Sequence, residues 1–142
     1  MDEESVIRLR DAVMRTARLL RTTASDEDLS PGQSSVLATL VREGPSGAGR
    51  LAAAEAMHPT MLSRVLAHLE GLGLVERGPS PDDARCTIAR ATPAGRRRVA
   101  RLRAARAARL LAWLEGLDEA DVARLAAALP ALEALARAGE DA

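Results

Sequence analysis

The stretch from His58 to Gly78, reading HPTMLSRVLAHLEGLGLVERG, constrains the fold most, because its apolar residues return with the period of a helix. At about 100° per residue, Leu62, Val65, Leu66 and Leu69 fall within about one third of the circumference. Thr60, Ser63, Arg64, Ala67 and His68 lie opposite. A helix divided in this way buries one face and leaves the other for a partner. Pro59 suits a first helical position and Gly71 or Gly73 an ending, so the recognition helix is expected at about 59–72. A short strand, Leu74 to Arg77, a turn-rich tip from Gly78 to Asp83, and a strand-like run from Arg85 to Ala91 follow. Two readings fit. One is a winged helix-turn-helix, whose helix enters a major groove about 12 Å wide while the wing, about 74–91, reaches the minor groove. The other is an ordinary surface helix followed by a hairpin.

Helical patterns occupy most of the remainder. From Glu4 to Ala24, Val6, Leu9, Val13, Thr16 and Leu20 recur by three and four residues and form a seam that needs a partner helix. Ser30-Pro31-Gly32-Gln33 supplies an N-cap, a proline at the first helical position and a capping-box glutamine, so a helix is expected from Pro31 to about Arg42. A short helix is expected from Gly49 to Ala56. Thr92-Pro93 repeats the cap-plus-proline device and opens a helix to about Glu115, roughly 35 Å long at 1.5 Å per residue. Asp118 and Asp121 mark the start of the last helix, Glu119 to about Ala138, which Pro130 is expected to kink or split.

The seam residues Val6, Leu9, Val13 and Leu20 near one end, and Trp113, Leu125, Leu129 and Leu132 near the other, have no lobe of their own to cover. They either pack together within one chain or join two chains. A two-fold pair of chains would set two recognition helices about 34–36 Å apart, the spacing of successive major grooves.

A formal net charge of zero argues at first against nucleic acid. Distribution reverses this: from Arg85 to Leu114 there are many arginines and no acid, while acids gather at Asp2 to Glu4, Asp26 to Asp28, Asp118 to Asp121 and Glu140-Asp141. The local field is then positive. A compositional bias towards arginine and alanine on a solvated helix is the competing explanation. No run of about 18 apolar residues spans a bilayer, and the acidic Met1-Asp2-Glu3-Glu4 is unlike a signal peptide. With a single cysteine, no internal disulfide forms. A cytoplasmic chain without a membrane partner is expected.

Leu51-Ala52, Glu55, Pro59, Ser63-Arg64, Leu69-Glu70, Gly73-Leu74-Val75, Arg77, Asp83-Ala84-Arg85 and Thr92-Pro93-Ala94-Gly95 follow one another in an order that resembles the core signature of MarR-type transcription regulators. The resemblance covers about residues 5–138 and is strongest over 49–98. It implies a mainly α fold with a small β-wing: an N-terminal dimerisation helix (1–29), a winged helix-turn-helix lobe (30–98), and a long connecting helix with a C-terminal dimerisation helix (93–142). It implies a homodimer on double-stranded DNA. Arg64 matches the arginine after the serine of the motif, and Arg85 resembles the wing-tip arginine, oriented by Asp83 or by the neighbouring Asp82.

Arg64 could bind a phosphate or the edge of guanine. Thr60, Ser63 and His68 share its face as donors. His58 stands at the helix entry, where relatives often carry a serine-like cap. Met61 either touches a thymine methyl or covers the core. Arg85 either enters a narrow minor groove or forms a surface pair with an acid. Relatives often bind small aromatic anions in a cleft, yet here Trp113 is the lone aromatic residue. A small-molecule effector and an unliganded or protein-modulated repressor both remain open.

Enzymatic readings find little. Gly47-Ala48-Gly49-Arg50-Leu51-Ala52 fits G-x-G-x-x-A, but without a preceding strand it makes a poor dinucleotide site. His58 and His68 have no metal-ligand spacing, and Cys86 is expected to be a small packing residue of the wing, with a redox switch as the alternative. No nucleophile, base and orienter converge, so neither a cofactor nor a metal is expected. The function indicated is a DNA-binding regulator, most simply a repressor on a palindromic site. The alternative is a winged-helix module that binds another protein.

Overall fold

The computed structural model describes residues 1–23 and 29–140. The expected end of the first helix at Ala24, the acidic run Asp26 to Asp28, and Asp141 lie outside the described residues. The elements are α1 (Glu3–Thr23), α2 (Pro31–Glu43), β1 (Ser46–Gly47), α3 (Ala48–Ala54), α4 (Pro59–Gly71), β2 (Val75–Pro79), β3 (Thr87–Ala91), α5 (Pro93–Leu114) and α6 (Glu119–Glu140). The chain divides into two compact units, Met1–Arg106 and the residues from Ala107 onward.

In the first unit, α2, α3, α4 and the start of α5 enclose a core of Val36, Leu37, Leu40, Leu51, Leu62, Val65, Leu66, Leu69, Leu74, Val75 and Val99. Each such side chain contributes about 1.5–3 kcal/mol on leaving water. α2 begins as expected. The Gln33 amide donates to Ser30 Oγ at 3.2 Å and the Ser30 amide donates back to Gln33 Oε1 at 2.8 Å, which together satisfy two amides that the first turn leaves open.

The sheet has three strands in the order β1-β3-β2, all antiparallel. β1 was not anticipated. It pairs Ser46 with Ala89 and Gly47 with Ile88, making β3 the central strand. A strand therefore does lead into the Gly47-Ala48-Gly49 run, with Gly47 as its last residue. It is two residues long and antiparallel to its neighbour, unlike the parallel strand of a dinucleotide-binding unit.

α3 and α4 end with the same hydrogen-bond pattern. After α4, Leu74 N donates to Leu69 O and Gly73 N to Glu70 O, both at 2.9 Å. Gly73 supplies the required left-handed backbone at φ +70°. After α3, Met57 N donates to Ala52 O at 2.9 Å and Ala56 N to Ala53 O at 3.1 Å, but here an alanine takes the left-handed position, at φ +48°. That turn also stops α3 at Ala54 instead of the expected Ala56. A long-range bond secures it: Thr39 Oγ1, on a buried residue of α2, donates to Glu55 Oε1 at 2.6 Å.

The Thr92-Pro93-Ala94-Gly95 segment clamps the other end of α4. Thr92 Oγ1 donates to Gly73 O at 2.7 Å and accepts from the Gly95 amide at 3.1 Å, while Thr92 N donates to Leu74 O at 3.0 Å. Gly95 lies against that same Leu74 carbonyl, where a Cβ would overlap the oxygen and come within 3.1 Å of Leu37 Cδ1. Glycine is required here for closeness and not for its φ.

The second unit comprises the end of α5 and α6. Asp118 Oδ1 accepts from the Asp121 amide at 2.7 Å and opens α6 as expected. The helix continues through Pro130 without being split. Its residues around Pro130 are exposed, so water can bond the carbonyl that lacks an amide donor. No helix among the described residues is long and apolar enough to cross a membrane.

Two substitutions should shift stability in opposite directions. Gly95→Ala should cost about 1–3 kcal/mol, because neither the Leu74 backbone nor Leu37 can yield without disturbing the core. Ala56→Gly should add about 1 kcal/mol by removing the left-handed alanine. Thermal melts check both, with the first variant melting below the wild type and the second above it.

Candidate nucleic-acid interface

The division of α4 is as its periodicity indicates. Leu62, Val65, Leu66 and Leu69 are buried, whereas Thr60, Ser63, Arg64, Ala67 and His68 are exposed. The buried side packs against α2, α3 and β2. Arg64 makes no ion pair among the described residues, so its five donors face solvent. Met61 is 52% exposed, which removes the reading of it as a core cover. The methionine that does pack against the core is Met57, before the helix.

His58 is the N-cap. Its Nδ1 accepts from the Thr60 amide at 3.2 Å, so the ring does what a serine hydroxyl does in that position. With Nδ1 accepting, Nε2 is the nitrogen left to donate.

The end of α4 is tied to the wing by an ion pair. Arg77 on β2 donates from Nε to Glu70 Oε2 at 3.0 Å, with Nη2 on the same oxygen. The bond to Arg77 holds the Glu70 carboxyl below the usual carboxylate range. Across the hairpin, Glu76 faces Arg90 in register, with 3.7 Å between Oε1 and Nε.

At the wing tip, Asp83 and not Asp82 orients Arg85. Asp83 Oδ1 accepts from the Arg85 amide at 3.0 Å and from its Nε at 3.2 Å, and Oδ2 accepts from Nη2 at 3.4 Å. The Arg85 side-chain bond is the main cause that lowers the Asp83 pKa. The Arg85 side chain is nevertheless 92% exposed, so it is aimed without being covered. Asp82 is occupied in the preceding turn, where its amide donates to Ser80 Oγ at 3.3 Å. Cys86 departs from expectation. It is exposed and packs against no core, because the hairpin tip has no opposing layer. Its thiol donates to Asp83 Oδ2 at 3.8 Å.

The expected seam residues divide by exposure. Val6 and Val13 on α1 are exposed, and Leu9 and Leu20 are half-buried. In the second unit Leu125, Leu129 and Leu132 on α6 are exposed, while Trp113 is half-buried with the Arg109 guanidinium 5.8 Å from its ring centroid. Ile7 and Met14 on α1, and Leu135 on α6, are also exposed and escaped the sequence reading. Their signal was present, since Leu135 continues the three-residue step from Leu129 and Leu132.

A model described as the MarR family matches residues 29–87. Over 94 residues the chain is 38% identical to an HTH-type transcriptional regulator of Mycobacterium tuberculosis. The match covers 66% of each, so the chain spans about two thirds of the length of the curated relatives it matches. A solved structure from Pseudomonas aeruginosa, described as a transcriptional regulator, has a TM-score of 0.81 at 34% identity over 94% of each chain. A transcriptional regulator of Thermotoga maritima shares the fold, with a TM-score of 0.81 at 18% identity over 99% of each chain. With its helix-turn-helix, three-stranded wing and Thr92-to-Gly95 clamp, the chain belongs to the MarR family of transcriptional regulators.

Proposed function

We propose that the protein is a homodimeric repressor that binds a two-fold promoter site, with α4 in the major groove and the wing in the adjoining minor groove. The observation that carries this reading is the outward face of α4, where Arg64 is exposed and, among the described residues, without an ion pair, alongside Thr60, Ser63 and His68, together with a wing arginine already held by Asp83. Arg64 binds a guanine edge or a phosphate, and His58 offers Nε2 to the backbone. Arg85 reads a narrow minor groove through its charge, and Asp83 keeps it extended. The two chains pair through the exposed and half-buried apolar residues of their terminal helices: Val6 and Val13 with Leu9 and Leu20, and Leu125, Leu129 and Leu132 with Trp113. Apolar faces this continuous are rare on helices that stay in water.

Relief by a small ligand fits the cleft of about 200 Å³ in the first unit, where Arg21, Ser34, Ser35 and Arg106 surround Leu29. Among the described residues Arg106 Nε is buried there without a hydrogen-bond partner, a cost that an anion would remove. Among the described residues no aromatic side chain lines the cleft, so the ligand is held by charge and hydrogen bonds instead of stacking.

Selection from random DNA followed by gel-shift titration tests the reading. The enriched site should be two-fold symmetric. Arg64→Ala should lose about 1–3 kcal/mol of specific binding per half-site, and Arg85→Ala should lose less, mainly on sites with A·T-rich flanks. Affinity should fall steeply with salt as counterions are released. No enrichment at low salt would overturn the reading in favour of a protein-binding module, and full binding by both variants would overturn the roles given to Arg64 and Arg85.

A further inference from the structure

We infer that Met61 is a specificity-determining residue that reads the C5-methyl group of a thymine in each half-site. The inference rests on the proposal that α4 enters the major groove. In a groove-reading helix the N-terminal residues meet the base edges, and Met61 is the third residue of α4. Its side chain is 52% exposed, although every apolar residue on the buried side of α4 is at most 7% exposed. Counting 100° per residue, Met61, Arg64 and His68 follow one ridge at steps of three and four. The exposed methionine thus stands in line with the cation of the face and not on the opposite side of the helix.

The chemistry of that ridge is divided. Thr60, Ser63, Arg64 and His68 supply donors, and a donor can recognise guanine, adenine N7 or a phosphate. Of these only Thr60, through its own short methyl, can favour a methyl group over a hydrogen. Met61 is the one long apolar side chain in the first two turns of the exposed face, and a flexible, polarisable thioether suits a small apolar knob in a groove. Thymine is the base that presents such a knob there. Met61 and Arg64 are separated by about 4.5 Å along the helix axis, while base pairs are stacked about 3.4 Å apart. The thymine should therefore lie one or two steps from the base pair or phosphate that Arg64 contacts.

Deoxyuridine scanning tests this directly, because it removes only the methyl group. Each thymine of the selected site is replaced in turn in both half-sites, and affinity is measured for the wild type, Met61→Ala and Met61→Leu. Removing one buried methyl should weaken wild-type binding about fourfold per half-site, at a single symmetry-related position. The same replacement should leave Met61→Ala unaffected, while Met61→Leu should keep most of the preference. Equal melting temperatures for the three proteins confirm that the exposed substitution leaves the fold intact. Binding without any uridine-sensitive position overturns the inference while the proposed function stands. A sensitive position whose loss persists in Met61→Ala also overturns it and assigns the methyl to another group, such as Ala67. Failure to select any site overturns both.

Discussion

Everything the molecule presents outward depends on the burial of Leu62, Val65, Leu66 and Leu69 between α2, α3 and the sheet. Four residues at helical spacing leave α4 one way to lie, because rotating it to hide Arg64 would put three leucines and a valine in water and a guanidinium in the core. The cost of the second alone exceeds what a surface face could return. The identity of the exposed residues therefore follows from the identity of the buried ones.

Position is set at the two ends of that helix. At its start, the left-handed Ala56 and the Thr39–Glu55 hydrogen bond fix the turn from α3. At its end, Leu74 N reaches back to Leu69 O, Thr92 bonds to Gly73, and Gly95 lets α5 approach the Leu74 carbonyl. The Glu70–Arg77 pair adds a link from the last turn of α4 to the wing. It is exposed and of small energetic weight alone. Its value lies in orientation, since α4 and the wing move as one body if the clamp holds. The segments Leu69–Leu74 and Thr92–Gly95 of the family motif are thus joined by bonds to the Gly73 and Leu74 carbonyls and by the close approach of Gly95.

Much of this was legible in the sequence because it is local. The faces of α4, the capping box at Ser30, the Thr92-Pro93 cap and the hairpin tip each depend on residues within a few positions. The features that were missed are tertiary or break a local rule. β1 is two residues with no strand pattern, and β3 creates it by offering an edge. Ala56 occupies a position that normally announces itself as glycine. Thr39 and Glu55 are sixteen residues apart. Asp82 and Asp83 could not be told apart by spacing, since the turn that ends at Cys86 N and Asp83 O decides between them. Cys86 was expected to pack because cysteine usually does, but a hairpin tip supplies nothing to pack against.

Hydroxyl-radical footprinting of the complex on the selected site tests the central claim most directly, that two copies of this surface meet one duplex from one side. The account predicts two protected patches centred about one helical turn apart, flanked by protected minor-groove sugars where the wings lie. A single patch, or protection without two-fold symmetry, would contradict it.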